Sequence, residues 1–317
     1  MRKAIWSRYW AAGAAHSCAG SFGTHYAGAI GRWWEQEFAS LSGDERLLDI
    51  ATGSGAVLQL ALKHCPSPTI RLDGVDAGQV SPDWIRLLSP AQARRVHIHP
   101  GVQAELLPFE NQTFDRVTSQ FGLEYTKLDQ SLAELRRVLR VGGSLRCILH
   151  HASSRSVSLA RVEVAHIRWL LAPDGLLALA EQLCEPFARA ATAEGRAGLA
   201  RDLQARALRD RFNERQDERL RLAAESLCPD VLQEASDAVT ATLRAATAQG
   251  APAGQAVCRA FAEALRDAAF RLCDLIDHAL TTAGMQALSH RLPALQLAAT
   301  FGELRDGQRL MGWWLKA

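Results

Sequence analysis

Three things are missing from this chain of 317 residues: a C-x-x-C pair, a long uncharged apolar run, and an excess of one charge. Each absence removes a class of protein. The seven cysteines are scattered and odd in number, which argues against a disulfide framework or a zinc site and suits a reducing cytosol. The most apolar stretch, 167–184, is broken by Arg168, Pro173, Asp174 and Glu181, so it falls short of the ~20 residues of a membrane span. Lys plus Arg is 36 against 34 for Asp plus Glu, a balance that demands no polyanionic partner. The start, MRKAIWSRYWAAGAAHSCAG, is basic and alanine-rich, but Arg8 and His16 interrupt any signal-peptide core. Trp6, Tyr9 and Trp10 read there as packing residues, and the expected location is cytoplasmic.

What remains is an ordinary folded composition, 48% hydrophobic and 22% charged, long enough for two domains or one with an insertion. Residues 3–39 read as helical pieces joined by a glycine-bearing link. Between 46 and 151, β-rich runs (47–51, 70–76, 96–99, 115–121, 144–150) alternate with helical ones (56–64, 81–89, 128–140). That alternation predicts a parallel sheet covered by helices. From 155 to 290 the strand signals vanish, and Ala, Arg and Leu fill long amphipathic stretches such as 201–227. Strand character returns at 295–317, where Asp306-Gly307 between apolar runs predicts a hairpin. The economical reading is one sheet split by a helical insertion: 1–45 an N-terminal helical cap, 46–151 and 291–317 the core, 152–290 the insertion.

The segment LLDIATGSGAV (47–57) is a buried strand, a tight glycine turn and a helix start. Gly53 and Gly55 permit close approach of a ligand, and the helix N-terminus beyond offers free N–H groups. Asp76 ends the next strand about 20 residues beyond Gly55, where an acid can accept hydrogen bonds from ribose hydroxyls. Together these predict a nucleoside-bearing cofactor in an α/β, doubly wound, Rossmann-like sheet. The dinucleotide fingerprint is incomplete, since Leu58 stands where its third glycine belongs. Asp49 would also repel a pyrophosphate, whereas it suits a cofactor bearing an ammonium group.

With these residues the chain resembles the class I S-adenosylmethionine-dependent methyltransferases, most closely the small-molecule type of quinone biosynthesis. LLDIATGSGAV is similar to the family's first motif, and DGVDAG (73–78) to its ribose-binding acid. GVQAELLPFENQTFDRV (101–117) resembles G-D-A-x-x-L-P-F…F-D, and LRRVLRVGGSLRCILHH (135–151) the helix, R-V-L-x-P-G-G turn and fifth strand. The resemblance covers 46–151 and the terminal strand pair. It implies S-adenosylmethionine as cofactor and no metal. Asp49 and the 51–55 loop (Ala51, Gly53, Gly55) would meet the methionine moiety, Asp76 the ribose hydroxyls, residues 103–105 (Gln103 and Ala104 among them) the adenine edge and Gln120 the sulfonium region, with Ala77 a further cofactor contact. Gln103 replaces the family's Asp, yet its amide oxygen still accepts from the adenine amine. Val141 replaces the usual proline of the turn.

On the acceptor side, ligands of such sheets sit beyond the carboxyl ends of the strands. His150 and His151 end one strand and point to opposite faces, so only one can face a pocket; either is a candidate general base, or a structural histidine. Glu124 and Tyr125 follow the fourth strand and are similarly placed, each either a pocket group or, more in keeping with its type, a solvated loop residue or core aromatic. His16 and Tyr26, in the link 16–26, are candidate pocket groups of a cap folded over the cofactor. His97 and His99 share a strand face, but no third metal ligand accompanies them.

Methyl transfer needs alignment of nucleophile, carbon and leaving sulfur more than covalent catalysis, in keeping with the lack of a conspicuous triad. Nucleic acid is disfavoured as acceptor. The chain has SQFG (119–122) where amino-directed DNA enzymes have P-P-Y or P-P-F, it has no Pro-Cys pair, and charges of both signs interleave along 201–221. The expectation is therefore a methyltransferase acting on an O or N nucleophile of a small, partly apolar metabolite, without nucleic acid or membrane. The insertion would form a lid, a substrate wall or a homodimer surface. The rivals are a non-catalytic cofactor-binding protein, an RNA or protein methyltransferase, and a nicotinamide dehydrogenase.

Overall fold

The computed structural model describes residues 1–14 and 27–317. Their chain divides into two units, one built from Met1–Val157 with Leu275–Ala317, the other from Ser158–Asp274.

The first unit holds a seven-stranded sheet ordered β3-β2-β1-β4-β5-β7-β6. The strands are β1 (Arg46–Ile50), β2 (Arg71–Asp76), β3 (Val96–Pro100), β4 (Phe114–Gln120), β5 (Leu139–Leu149), β6 (Thr300–Asp306) and β7 (Arg309–Lys316). The first five run parallel, while β7 lies antiparallel between β5 and β6. This is the doubly wound sheet with an antiparallel C-terminal strand that the sequence predicts. Strand order reverses between β1 and β4, and that switch point fixes where a ligand crevice can form.

Side-chain alternation assigns each strand's two faces. Leu48 and Ile50 of β1 join Val117, Leu145, Cys147 and Leu149 in one buried layer, covered by the helix Leu128–Val138 and by Met285 and Leu288 of the helix Thr282–Arg291. Leu47 and Leu72 point the other way, into Val57, Leu58 and Ala61 of the helix Ala56–His64 and Ile30, Trp34 and Phe38 of the helix Gly28–Ala39. Buried Glu37, on that last helix, ties it to the sheet. It pairs with Arg146 of β5 at 2.6 Å and with Lys316 of β7, and these cations hold its carboxyl below the usual range against the opposing effect of burial.

Two local readings change. Residues 81–89 fit a helical spacing but form only a 3-10 turn, Asp83–Leu87. Pro90 disfavours helical dihedrals at Ser89, which instead caps a new single turn, Pro90–Ala93, through a capping box with Gln92. The helix expected over 128–140 stops at Val138, and β5 starts at Leu139, with a register shift opposite Phe114/Arg116 where the Gly142-Gly143 turn feeds the strand.

The second unit is helical throughout its described length. The helices Leu176–Arg189, Leu203–Glu225 and Asp230–Gln249 pack Leu177, Leu183, Phe212, Leu232 and Val239 into a core of their own. Arg215 clasps Glu218 and Asp174, and buried Arg219 donates to the Leu232 carbonyl. No helix among the described residues is long and apolar enough to cross a membrane.

Candidate active site

At the carboxyl ends of β1, β2 and β4 lies a partly open cavity of about 210 Å³, walled more by apolar than by polar groups. Asp49 and Ala51 reach it from the end of β1, Asp76 and Ala77 from β2, Gln103 and Ala104 from the loop after β3, and Gln120 from the end of β4.

The loop after β1 is held in shape by backbone strain and by Asp76. Ala51 and Phe121 both adopt left-handed dihedrals, with φ of 53° at each. Such non-glycine residues cost about 1–3 kcal/mol each and tend to mark functional sites. Gly122 follows from this geometry, because a Cβ there would stand 2.5 Å from that of Ala51. The Asp76 carboxylate joins the two loops, accepting from the Gly53 N–H at 2.9 Å and the Gly78 N–H at 2.7 Å. Burial raises its pKa, and those two N–H groups oppose the rise.

Asp49 is 1% exposed and accepts from the Thr118 hydroxyl at 2.7 Å. Burial, with the nearby Asp76 charge adding to it, pushes its pKa up to about 7. Such a carboxylate has no positive partner among the described residues, so the site favours a cation. Gln120 accepts a hydrogen bond from the Trp34 indole, and its buried Nε2 has no partner among the described residues. The residues fit S-adenosylmethionine: two buried acids beside a cavity, an unpaired amide donor, and the uncapped N-terminus of the helix Ala56–His64.

The N-terminal helix Arg2–Ala11 forms part of the wall. Trp6 and Trp10, read from sequence as packing residues, line the cavity together with Arg2 and Lys3. The Trp10 ring lies so close to Gly53 that a Cβ there would meet it at 2.6 Å. Ser7 accepts from the Gln79 N–H at 2.9 Å, fastening the helix to the loop after β2. Gly53 and Gly55 therefore shape the loop beneath Trp10 and Trp84 and do not themselves line the cavity. The Trp84 indole donates to the Ser54 carbonyl at 2.7 Å. Pattern reasoning missed Trp6, Trp10 and Trp84. The available signal was the pairing of Trp6 and Trp10 four residues apart on a helix with almost no other apolar face.

Of His150 and His151, one of which could face the pocket by strand alternation, neither stands in its wall. His150 is fully buried, stacks on Phe121 with ring centroids 4.1 Å apart, and is pushed by burial down to about 3. His151 faces the opposite side of the sheet, stacks on Trp313 at 4.3 Å and accepts from the Ser153 N–H. Neither lines the cavity, because the side chains of Phe121 and Tyr125 stand there instead. His16 and Tyr26 lie outside the described residues. His99 is engaged by Asp73 at 2.9 Å, and no cluster of metal-ligand type occurs among the described residues.

The fold, the switch-point cavity and its two acids define a Rossmann-like domain of the S-adenosylmethionine-binding methyltransferase class. Comparison with known proteins agrees: residues 48–147 match the methyltransferase-domain family and are a class I domain of that kind. A ubiquinone/menaquinone biosynthesis C-methyltransferase from Xylella fastidiosa is 34% identical over 124 residues, 38% of this chain and 49% of that protein. The namesake from Paracoccus denitrificans is 28% identical over 147 residues, 45% of this chain and 55% of its own. The chain thus spans about half the length of the curated relatives it matches. Among solved structures, the YcgJ protein of Bacillus subtilis is similar at 24% identity, covering 43% of this chain and 58% of that one, with a TM-score of 0.33.

Proposed function

We propose that this protein is an S-adenosylmethionine-dependent methyltransferase that transfers a methyl group to an O or N nucleophile of a small, partly apolar metabolite. The observation that carries the reading is the pair of buried acids, Asp49 and Asp76, at adjacent strand ends on one cavity. When bound, S-adenosylmethionine supplies an electrophilic methyl group on a positively charged sulfur. The chain's part is to bind, orient and exclude water. In this reading Asp49 receives the cationic methionine end, Asp76 the ribose hydroxyls and Gln103 the adenine edge. Gln120 lies toward the sulfur, and Trp6 and Trp10 shield the cavity from solvent.

A small acceptor is supported by the apolar and aromatic wall of Trp6, Phe121 and Tyr125. A carbon acceptor is the second reading, favoured by the C-methyltransferase names of the curated relatives. The helical unit Ser158–Asp274 is proposed to serve acceptor choice or self-association. The test is incubation with radiolabelled S-adenosylmethionine and a fractionated cell extract. Label in the small-molecule fraction supports the proposal. Label in RNA or protein would redirect it to a macromolecular acceptor. Bound cofactor with no label in any fraction would leave a non-catalytic binding protein.

A further inference from the structure

Two cations on the cavity wall take no part in the proposed cofactor contacts. Arg2 and Lys3 both line the cavity from the helix Arg2–Ala11, at its exposed rim. Lys3, Trp6 and Trp10 recur at three- and four-residue spacing, so one face of that helix carries an ammonium group and two indoles. The Arg2 guanidinium is held beside Tyr125, donating to its carbonyl at 3.2 Å, and meets His278 at 3.3 Å. Lys3 has no ion-pair partner among the described residues. Gln120 supplies a third donor, deeper in the wall. It is 6% exposed, and its contact with the Trp34 indole through Oε1 fixes which end of the amide is left over: Nε2, buried and without a partner among the described residues. An amide N–H matches an oxygen, above all an anionic one, and not a sulfonium.

The charges of S-adenosylmethionine already have counterparts in the proposed pose. Asp49 meets the ammonium group, and the uncapped N-terminus of the helix Ala56–His64 suits the carboxylate. The acids of the wall are engaged as well: Asp49 by Thr118, Asp76 by the Gly53 and Gly78 N–H groups, and Glu105 by the Lys127 N–H at 2.9 Å. The groups left for a second ligand are therefore donors and cations.

We propose that the acceptor is a carboxylate and that its own oxygen takes the methyl group, giving a methyl ester. The proposal rests on the methyltransferase reading. Arg2 and Lys3 draw the anion in at the rim, Gln120 Nε2 donates to it near the sulfur, and Trp6 and Tyr125, whose rings meet edge-on at 6.3 Å, pack against its apolar body. A lone pair of the carboxylate oxygen forms the new O–C bond, the C–S bond breaks, and its electron pair stays on sulfur. No proton moves, because a carboxylate is already ionised at neutral pH, where a hydroxyl or an ammonium group would need a base. Anion and sulfonium become a neutral ester and a neutral thioether. The apolar wall of Trp6, Phe121 and Tyr125 solvates ions poorly and so favours that loss of charge.

The test incubates the full chain with radiolabelled S-adenosylmethionine and the deproteinised small-molecule fraction of a cell extract, then treats the products with alkali. Alkali splits methyl esters and releases their label as volatile methanol, whereas ether, N-methyl and C-methyl products keep it. Most of the incorporated label is expected to become volatile. Lys3→Met is expected to slow formation of that label roughly tenfold and Lys3→Arg to preserve it. By calorimetry both variants should bind S-adenosylhomocysteine as the unchanged protein does. Label held in alkali-stable products would overturn the carboxylate assignment while the methyltransferase reading stands. An unchanged rate in Lys3→Met would overturn it too, as would a parallel loss of S-adenosylhomocysteine affinity, which would assign Lys3 to the cofactor. No label in any product would fail the methyltransferase reading itself, and the proposal with it.

Discussion

Replacing Asp49 by Asn should make the ligand-free protein more stable and the cofactor complex weaker, and the size of the first effect follows from burial. The carboxyl sits 1% exposed, with Thr118 as its hydroxyl donor, and its pKa rises from 3.8 to about 7 on folding. That rise corresponds to an upper bound of about 4 kcal/mol of destabilisation at neutral pH. Relaxation around the site would leave about 2 kcal/mol, or roughly 4–8 °C in Tm for a unit of this size. The sign follows from linkage. Because the folded pKa lies above the unfolded one, the folded state binds more protons between them, so the penalty is absent below about pH 4 and complete above about pH 7. Asn is nearly isosteric and still accepts from Thr118, so it removes the penalty and little else. The assay is thermal unfolding of both proteins across that pH range, with and without S-adenosylhomocysteine. The Tm gap in favour of Asp49→Asn should open as pH rises and narrow or reverse when the ligand is added. A gap independent of pH, or equal stabilisation of both proteins by the ligand, would refute the reasoning.

Three further outcomes are expected. Asp76→Ala removes the acceptor for both the Gly53 and Gly78 N–H groups, so S-adenosylhomocysteine affinity should fall at least tenfold by calorimetry; unchanged affinity would remove Asp76 from the site. Glu37→Ala strands Arg146 and Lys316 against the sheet and should cost about 3 kcal/mol in denaturant unfolding while ligand affinity stays within twofold. Trp10→Ala uncovers the Gly53 loop; faster dissociation of S-adenosylhomocysteine in stopped-flow fluorescence is expected, and an unchanged rate would mean that the helix Arg2–Ala11 does not hold the ligand in.

The sheet was legible because its signals are local and periodic. LLDIA and DRVTSQF alternate or run apolar over strand length, the glycine turn of 51–55 needs no distant partner, and Asp306-Gly307 turns β6 directly into β7. The same holds for the positions around the cavity, since every strand of a parallel sheet ends on the same edge. What stayed hidden depends on contacts distant in sequence. Trp10 reaches the loop around Gly53, more than 40 residues away, and the spacing of Trp6 and Trp10 alone does not say which loop they cover. His150 and His151 could be placed on opposite faces by alternation, but their exclusion from the cavity is set by Phe121, whose left-handed backbone turns the chain across the strand end. At 81–89 the helical spacing was real, yet Pro90 and the Ser89 cap outweigh it.

The most direct measurement is a calorimetric titration of the whole chain with S-adenosylmethionine and, side by side, with NADH. Both ligands would seek the same switch-point cavity, but only one carries the cation that buried Asp49 favours and lacks a pyrophosphate that it would repel. Binding of S-adenosylmethionine in the micromolar range, with none for NADH, is the expected result. Binding of NADH with none for S-adenosylmethionine would contradict the assignment of this site.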